Sequence, residues 1–226
     1  MTKHFLRDLD RLRRAVLING RAVEAALEKA LAALIDGQLG LAEDVIDGDA
    51  KIDEREIEIE VECLKILALH QPVAQDLRFL ITVLKVNNDL ERIGDLAGNL
   101  AERAIYLSVR NAGPIPERFH EMSSRTRTMV HEAIDALFEP NLEAANRVLA
   151  ADDAVDDLKD ALRDELQETM HADSAQIEAA VCLIAVARDL ERIADMATNI
   201  AEDIVFMLEG ELIRHAYRKQ EQDESP

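Results

Sequence analysis

The chain has 226 residues, with 26 Lys and Arg against 46 Asp and Glu, a formal net charge of −20, 48% hydrophobic residues, 3% aromatic residues and no Trp. So acidic a surface repels a polyanion, and no basic, aromatic-lined stripe offsets it, which argues against nucleic-acid binding. The apolar content is high enough, and its spacing regular enough, to exclude a disordered chain, and the length fits one large domain or two small ones.

Eight Gly and five Pro leave few interruptions, so the elements are expected to be few and long. Strand signals are nearly absent: Val and Ile are scattered among Ala, Leu, Glu and Arg, and no Asn-Gly or Asp-Gly turn joins two alternating runs. The first helix is expected from Phe5 to Ile35, stopping at Asp36-Gly37. A second spans Leu41 to Leu69 and ends before Pro72, because proline disfavours helix at the residue before it. The third runs from Val73 to Val109, after which residues 110–116 (RNAGPIP) form the strongest break in the chain. A fourth helix follows from Pro116, placed as a first-turn proline, to Leu137. Pro140 separates it from a fifth that ends near Met170. Asp173, with Gln176 three residues on, reads as a capping box for a sixth helix reaching Glu209. Beyond Gly210 a charged, frayed tail is expected.

The longest wholly apolar run is Ala179 to Ala187, far short of the roughly 18 residues that suggest a membrane span. The N-terminal MTKHFLRDLDRLRR scatters charges where a signal peptide needs an apolar stretch, so a cytoplasmic protein is expected. Cys63 and Cys182 are too few and too isolated for a disulfide framework or a thiolate metal site, and their aliphatic neighbours predict buried free thiols.

An internal repeat organises the whole chain. Residues 89–102 read DLERIGDLAGNLAE and residues 189–202 read DLERIADMATNIAE, with ten of the fourteen positions identical at a shift of 100. A fainter echo at a shift of 103 aligns DAKID at 49–53 with DDAVD at 152–156. The expected fold is therefore all-α, two similar three-helix bundles in tandem, with residues 1–112 forming the first, 113–210 the second and 211–226 a tail.

The repeat also singles out the candidate chemistry. Glu91, Asp95 and Asn99 fall four residues apart and share one helix face with Glu102, while Leu90, Ile93, Ala97, Leu100 and Ala104 take the opposite face. Glu191, Asp195, Asn199 and Glu202 repeat the set, next to the duplicated Arg92 and Arg192. In the middle helices, Asp49 with Asp53, and Asp152 with Asp156, form further pairs. Four carboxylates meeting in each half would make a hard oxygen-donor site suited to Mg, Mn, Ca, Fe or Zn. Acids four apart are also common on this chain, as Glu24/Glu28, Glu54/Glu58, Glu58/Glu62 and Asp160/Asp164 show; such pairs equally suit a solvated face or a partner-docking surface. Only the duplication sets the marked pairs apart.

Glu117/His120 and Glu168/His171 have the Glu-x-x-His spacing of di-iron bundles, but both lie at helix ends, away from the middle of a bundle. Arg78 reads as an interhelical salt-bridge former. A phosphate-cradling Gly-rich loop, a nucleophile elbow and a His/Cys/Asp catalytic set are all missing, so an enzyme is not expected.

The repeated LERIGD…N segment, preceded by an Asp-x-x-Ile/Val-Asp helix and the DLR turn, resembles the PhoU family of phosphate-specific transport system accessory proteins, over nearly the whole chain. The resemblance implies a cytoplasmic, non-enzymatic negative regulator of phosphate uptake that couples a phosphate ABC transporter ATPase to its sensor histidine kinase, and it suggests a homodimer. It also implies metal clusters of uncertain identity (Fe, Zn, Mn or Mg) at the family's acid motifs. These fall here on Asp49/Asp53 with Glu91/Asp95, and on Asp152/Asp156 with Glu191/Asp195. One departure is Gly48, whose counterpart is Ala151; a glycine there is expected to loosen the first site locally.

Overall fold

Apolar residues three and four apart build α1 (Lys3–Asp36), which buries Phe5, Leu9, Leu12, Val16, Val23 and Leu27 along one stripe. The computed structural model describes residues 3–110 and 113–210, and continues with α2 (Leu39–His70), α3 (Ala74–Val109), α4 (Glu117–Phe138), α5 (Leu142–Ala172) and α6 (Ile177–Glu209). No strand occurs among the described residues. The tail from 211 on lies outside them, as do Asn111 and Ala112 in the break between α3 and α4.

The width of each buried face sets each helix's place. α2 buries a narrow line through Val45, Ile52, Ile59 and Ile66, and α5 does the same through Val148, Val155 and Leu162, so each lies on the outside of its half. α3 and α6 are buried on several sides, from Leu80 to Leu107 and from Ala179 to Met207, and stand in the middle. α1, α2 and α3 pack on one another, as do α4, α5 and α6; α3 packs on α6 and α1 on α4, joining the halves through a continuous core. Fully buried side chains such as Leu12, Leu27, Phe119 and Leu162 each contribute about 1.5–3 kcal/mol of burial energy.

The α3–α6 seam is antiparallel and polar along its length. Thr82 Oγ1 donates to the Asp203 carbonyl at 3.2 Å, Lys85 Nζ reaches Asp203 Oδ1 at 2.8 Å, Arg103 Nε reaches Asp189 Oδ2 at 2.9 Å, and Arg110 Nε reaches Glu178 at 3.1 Å. Arg78, expected to form a salt bridge, instead donates from Nε to the Met207 carbonyl at 3.3 Å, satisfying one of the carbonyls left open in the last turn of α6.

The expected helices coincide with the observed ones to within two residues at nearly every end. Gly37 (φ 68°) and Gly210 (φ 81°) terminate α1 and α6 in the left-handed conformation that glycine adopts freely. Two start signals need correction. Pro116 sits at the cap, and the first helical residue is Glu117. Asp173 accepts from the Ala175 N–H at 3.0 Å, but it opens a single 3-10 turn, Ser174–Gln176, and α6 begins only at Ile177. The reciprocal Gln176 bond of a capping box does not form among the described residues, so the sixth helix starts four residues later than its sequence signal.

Candidate metal centre

Gly94 brings α3 close to α2. A Cβ at Gly94 would lie 3.3 Å from Cγ2 of Ile52, so the missing side chain is what lets the helices approach there. One residue further along each helix stand Asp53 and Asp95. Asp49, one turn before Asp53, completes a group whose three carboxylate oxygens all lie within 4.8 Å of one another. In the second half, Val155 and Ala194 occupy the duplicate positions of Ile52 and Gly94, so one methyl is lost from the outer helix and one gained on the central helix.

Glu91 stands outside that three-oxygen group, yet it feels it. Burial, followed by repulsion from Asp95, Asp53 and Glu56, raises its carboxyl above the ordinary value. Asp49 is raised in the same way, by burial first and then by Asp53 and Asp95. Glu56, one turn beyond Asp53, is raised by burial, Glu60 and Asp53. Among the described residues, no Lys or Arg side chain forms an ion pair with Asp49, Asp53, Glu91 or Asp95, and the one cation that acts on Glu91, Arg92, pulls its carboxyl down less than burial and the neighbouring acids push it up. Several of the unduplicated acids at the same spacing do find cations: Glu24 pairs with Arg21, Glu62 with Lys65, and Asp160 and Asp164 with Arg163. Converging hard oxygen donors, partly exposed and lacking a counter-charge, fit a metal ion with room left for water or phosphate in its shell.

The second half is built differently. Lys159 Nζ spans Asp156 Oδ1 at 2.7 Å and Glu191 Oε1 at 3.1 Å, joining α5 to α6. Burial works against its ammonium, but the bonds to the two carboxylates outweigh that and raise its pKa. Asp152 lies 3.2 Å from Thr198 Oγ1, and burial, then Asp195, push its carboxyl up to about 6 against the pull of that hydrogen bond. No three acids of this half converge as Asp49, Asp53 and Asp95 do, among the described residues.

The flanking residues are peripheral. Asn99, Glu102, Arg92 and Arg192 are exposed, and Asn199 and Glu202 are half-buried. Glu117 is the first residue of α4 and His171 lies in the last turn of α5, so neither Glu-x-x-His pair faces the middle of a bundle. Sequence reasoning missed Glu56, Lys159 and Thr198. The signal was present: the shift of 103 aligns Glu56 with Lys159, a charge reversal one turn from the marked acids, and the shift of 100 aligns Gly98 with Thr198.

The fold and the site together define a two-repeat, all-helical protein with carboxylates paired between an outer and a central helix in each half. The PhoU domain matches residues 17–104 and again 119–204, and the chain belongs to the PhoU family. It is 39% identical over 218 residues to the phosphate-specific transport system accessory protein PhoU homolog of Pseudomonas aeruginosa, covering 95% of this chain and 89% of that one. The crystal structure of PhoU from Pseudomonas aeruginosa superposes with a TM-score of 0.87 at 38% identity, over 92% of this chain and 100% of that chain. The phosphate transport system regulatory protein PhoU from Streptococcus pneumoniae gives 0.84 at 28% identity, over 92% of this chain and 98% of that chain.

Proposed function

We propose that the protein is a non-enzymatic cytoplasmic regulator of phosphate uptake, acting by contact with the ATPase subunit of a phosphate ABC transporter and with a sensor histidine kinase to keep the phosphate-starvation response off when phosphate is plentiful. The observation that carries this reading is the match of both halves to the PhoU domain, together with relatives described as phosphate transport accessory and regulatory proteins. In the same reading the protein is a homodimer, and Asp49, Asp53 and Asp95, with Glu91 beside them, hold a metal ion. A bound ion would supply positive charge and open coordination positions at the surface of the first half. The protein's own residues set its place: Gly94 lets the helices approach, and Asp49 and Asp53 present their oxygens one turn apart.

The test is capture from lysate of cells grown with and without phosphate, alongside phosphate uptake in a deletion strain. Recovery of the kinase and the ATPase, and uptake that stays high in phosphate-rich medium until the gene is restored, are expected. Recovery of neither partner with normal uptake control would overturn the regulatory reading. Light scattering at several protein concentrations checks the dimer. Elemental analysis of untagged protein checks the metal, whose content is expected to fall when Glu91 and Asp95 become Ala.

A further inference from the structure

We propose that the two duplicated carboxylate sites are not equivalent: Lys159 acts as an internal counter-cation that closes the second site to a divalent ion at concentrations that fill the first. This rests on the reading of the first site as a metal site. The duplicated segments encode the same four acids in each half, so the sequence motif alone treats the halves alike. The side chains around them do not.

In the first half five carboxylates, Asp49, Asp53, Glu56, Glu91 and Asp95, interact with one another, and three of them converge with no cation bridging them among the described residues. In the second half the position of Glu56 is Lys159, and its ammonium holds one carboxylate from each helix, Asp156 from α5 and Glu191 from α6. Asp156 duplicates Asp53 of the converging group, and Glu191 duplicates Glu91, which stands beside it. Thr198, where the first half has Gly98, engages Asp152 as well. A cation entering the second site must therefore displace an ammonium already bonded to two of its four acids, and must do so beside a fixed positive charge. A cation entering the first site relieves repulsion among acids and displaces no side-chain cation. Both differences act in the same direction, and the Coulomb energy of a full charge at about 3 Å is large enough in a partly buried site to decide occupancy.

The experiment is equilibrium dialysis of untagged, chelator-treated protein against Mn²⁺, with bound metal read by elemental analysis and located by anomalous diffraction. Wild type, Lys159→Gln, Glu56→Lys and Asp49→Asn are compared, with helicity and thermal unfolding confirming that each variant is folded. Wild type is expected to bind Mn²⁺ at Asp49, Asp53 and Asp95, and to need at least about tenfold more Mn²⁺ to occupy the second half. Lys159→Gln is expected to narrow that gap by about tenfold and Glu56→Lys to weaken the first site by a similar factor, while Asp49→Asn removes the first site alone. Parallel filling of both sites in wild type, or an unchanged ratio in Lys159→Gln, would overturn the proposal and leave the metal reading standing. Absence of bound Mn²⁺ in both wild type and Lys159→Gln would overturn the metal reading, and this inference with it.

Discussion

Arg103 on α3 and Asp189 on α6 are ion-paired at 2.9 Å across the seam between the halves, with the Asp189 carboxylate almost fully buried. Repeat symmetry would supply a second such pair, but the residue duplicating Arg103 is Asp203, so Lys85 makes the corresponding contact with it at 2.8 Å from one turn away. The two halves are thus joined by bonds that their shared ancestry in sequence does not repeat. Arg103→Ala strands a buried carboxylate and is expected to cost about 2–4 kcal/mol, whereas Arg103→Ala with Asp189→Leu costs less than Arg103→Ala alone. Urea unfolding of the single and double variants measures this.

Asp152 gives the stability a definite pH dependence. Its folded value of about 6 lies above the ordinary 3.8, so between those values the folded chain holds a proton that the unfolded chain has released. Stability therefore falls as pH rises through this window, and above about pH 6 the full cost of the buried charge is present. In metal-free protein Asp152→Asn is expected to raise stability at pH 7.5 by on the order of 1 kcal/mol, after allowing for screening by solvent, with the gain disappearing near pH 4. Thermal unfolding across that pH range reads the effect, and a gain that grows towards low pH would contradict it.

Gly48 lies inside α2 with open space around it, since a Cβ there meets nothing within 4 Å. Its only contribution to the folded helix is the entropy it loses on folding, and its counterpart in the second half is already Ala151. Gly48→Ala is expected to stabilise the protein by about 0.5–1 kcal/mol, and so to raise the melting temperature by roughly 1–4 °C. Calorimetry of the two proteins decides this.

Both thiols are buried, and burial pushes Cys63 up to about 12 and raises Cys182 as well. With so little thiolate, the folded protein is expected to be inert to a thiol-disulfide reagent such as DTNB at pH 8, and both cysteines to react once denaturant is added. Rapid labelling of either cysteine before unfolding would show that the helix covering it opens readily.

The helical plan was legible because it is written in local signals: apolar residues at helical spacing, Gly37 and Gly210 at helix ends, and a repeat that needs no knowledge of contacts. The paired acids were legible for the same reason. What could not be read was partnership between helices. Asp89, Asp189 and Asp203 look like surface acids in the sequence, yet all three are buried, because which second face of α3 and α6 is covered depends on how the halves pack. Lys159 was equally hidden: its role depends on Glu191, 32 residues away, coming within reach from the neighbouring helix. Arg78 found a carbonyl where a carboxylate was expected, because the end of α6 arrives beside it.

The central position of α3 and α6 gives each two duties, one flank carrying acids and another gripping the opposite half. Asp95 and Arg103 share α3, so a shift of α3 against α2 also bears on Asp189 and on the helix that carries Glu191 and Asp195. Whatever reshapes the α2–α3 contact of one half therefore bears on α6 of the other through direct packing.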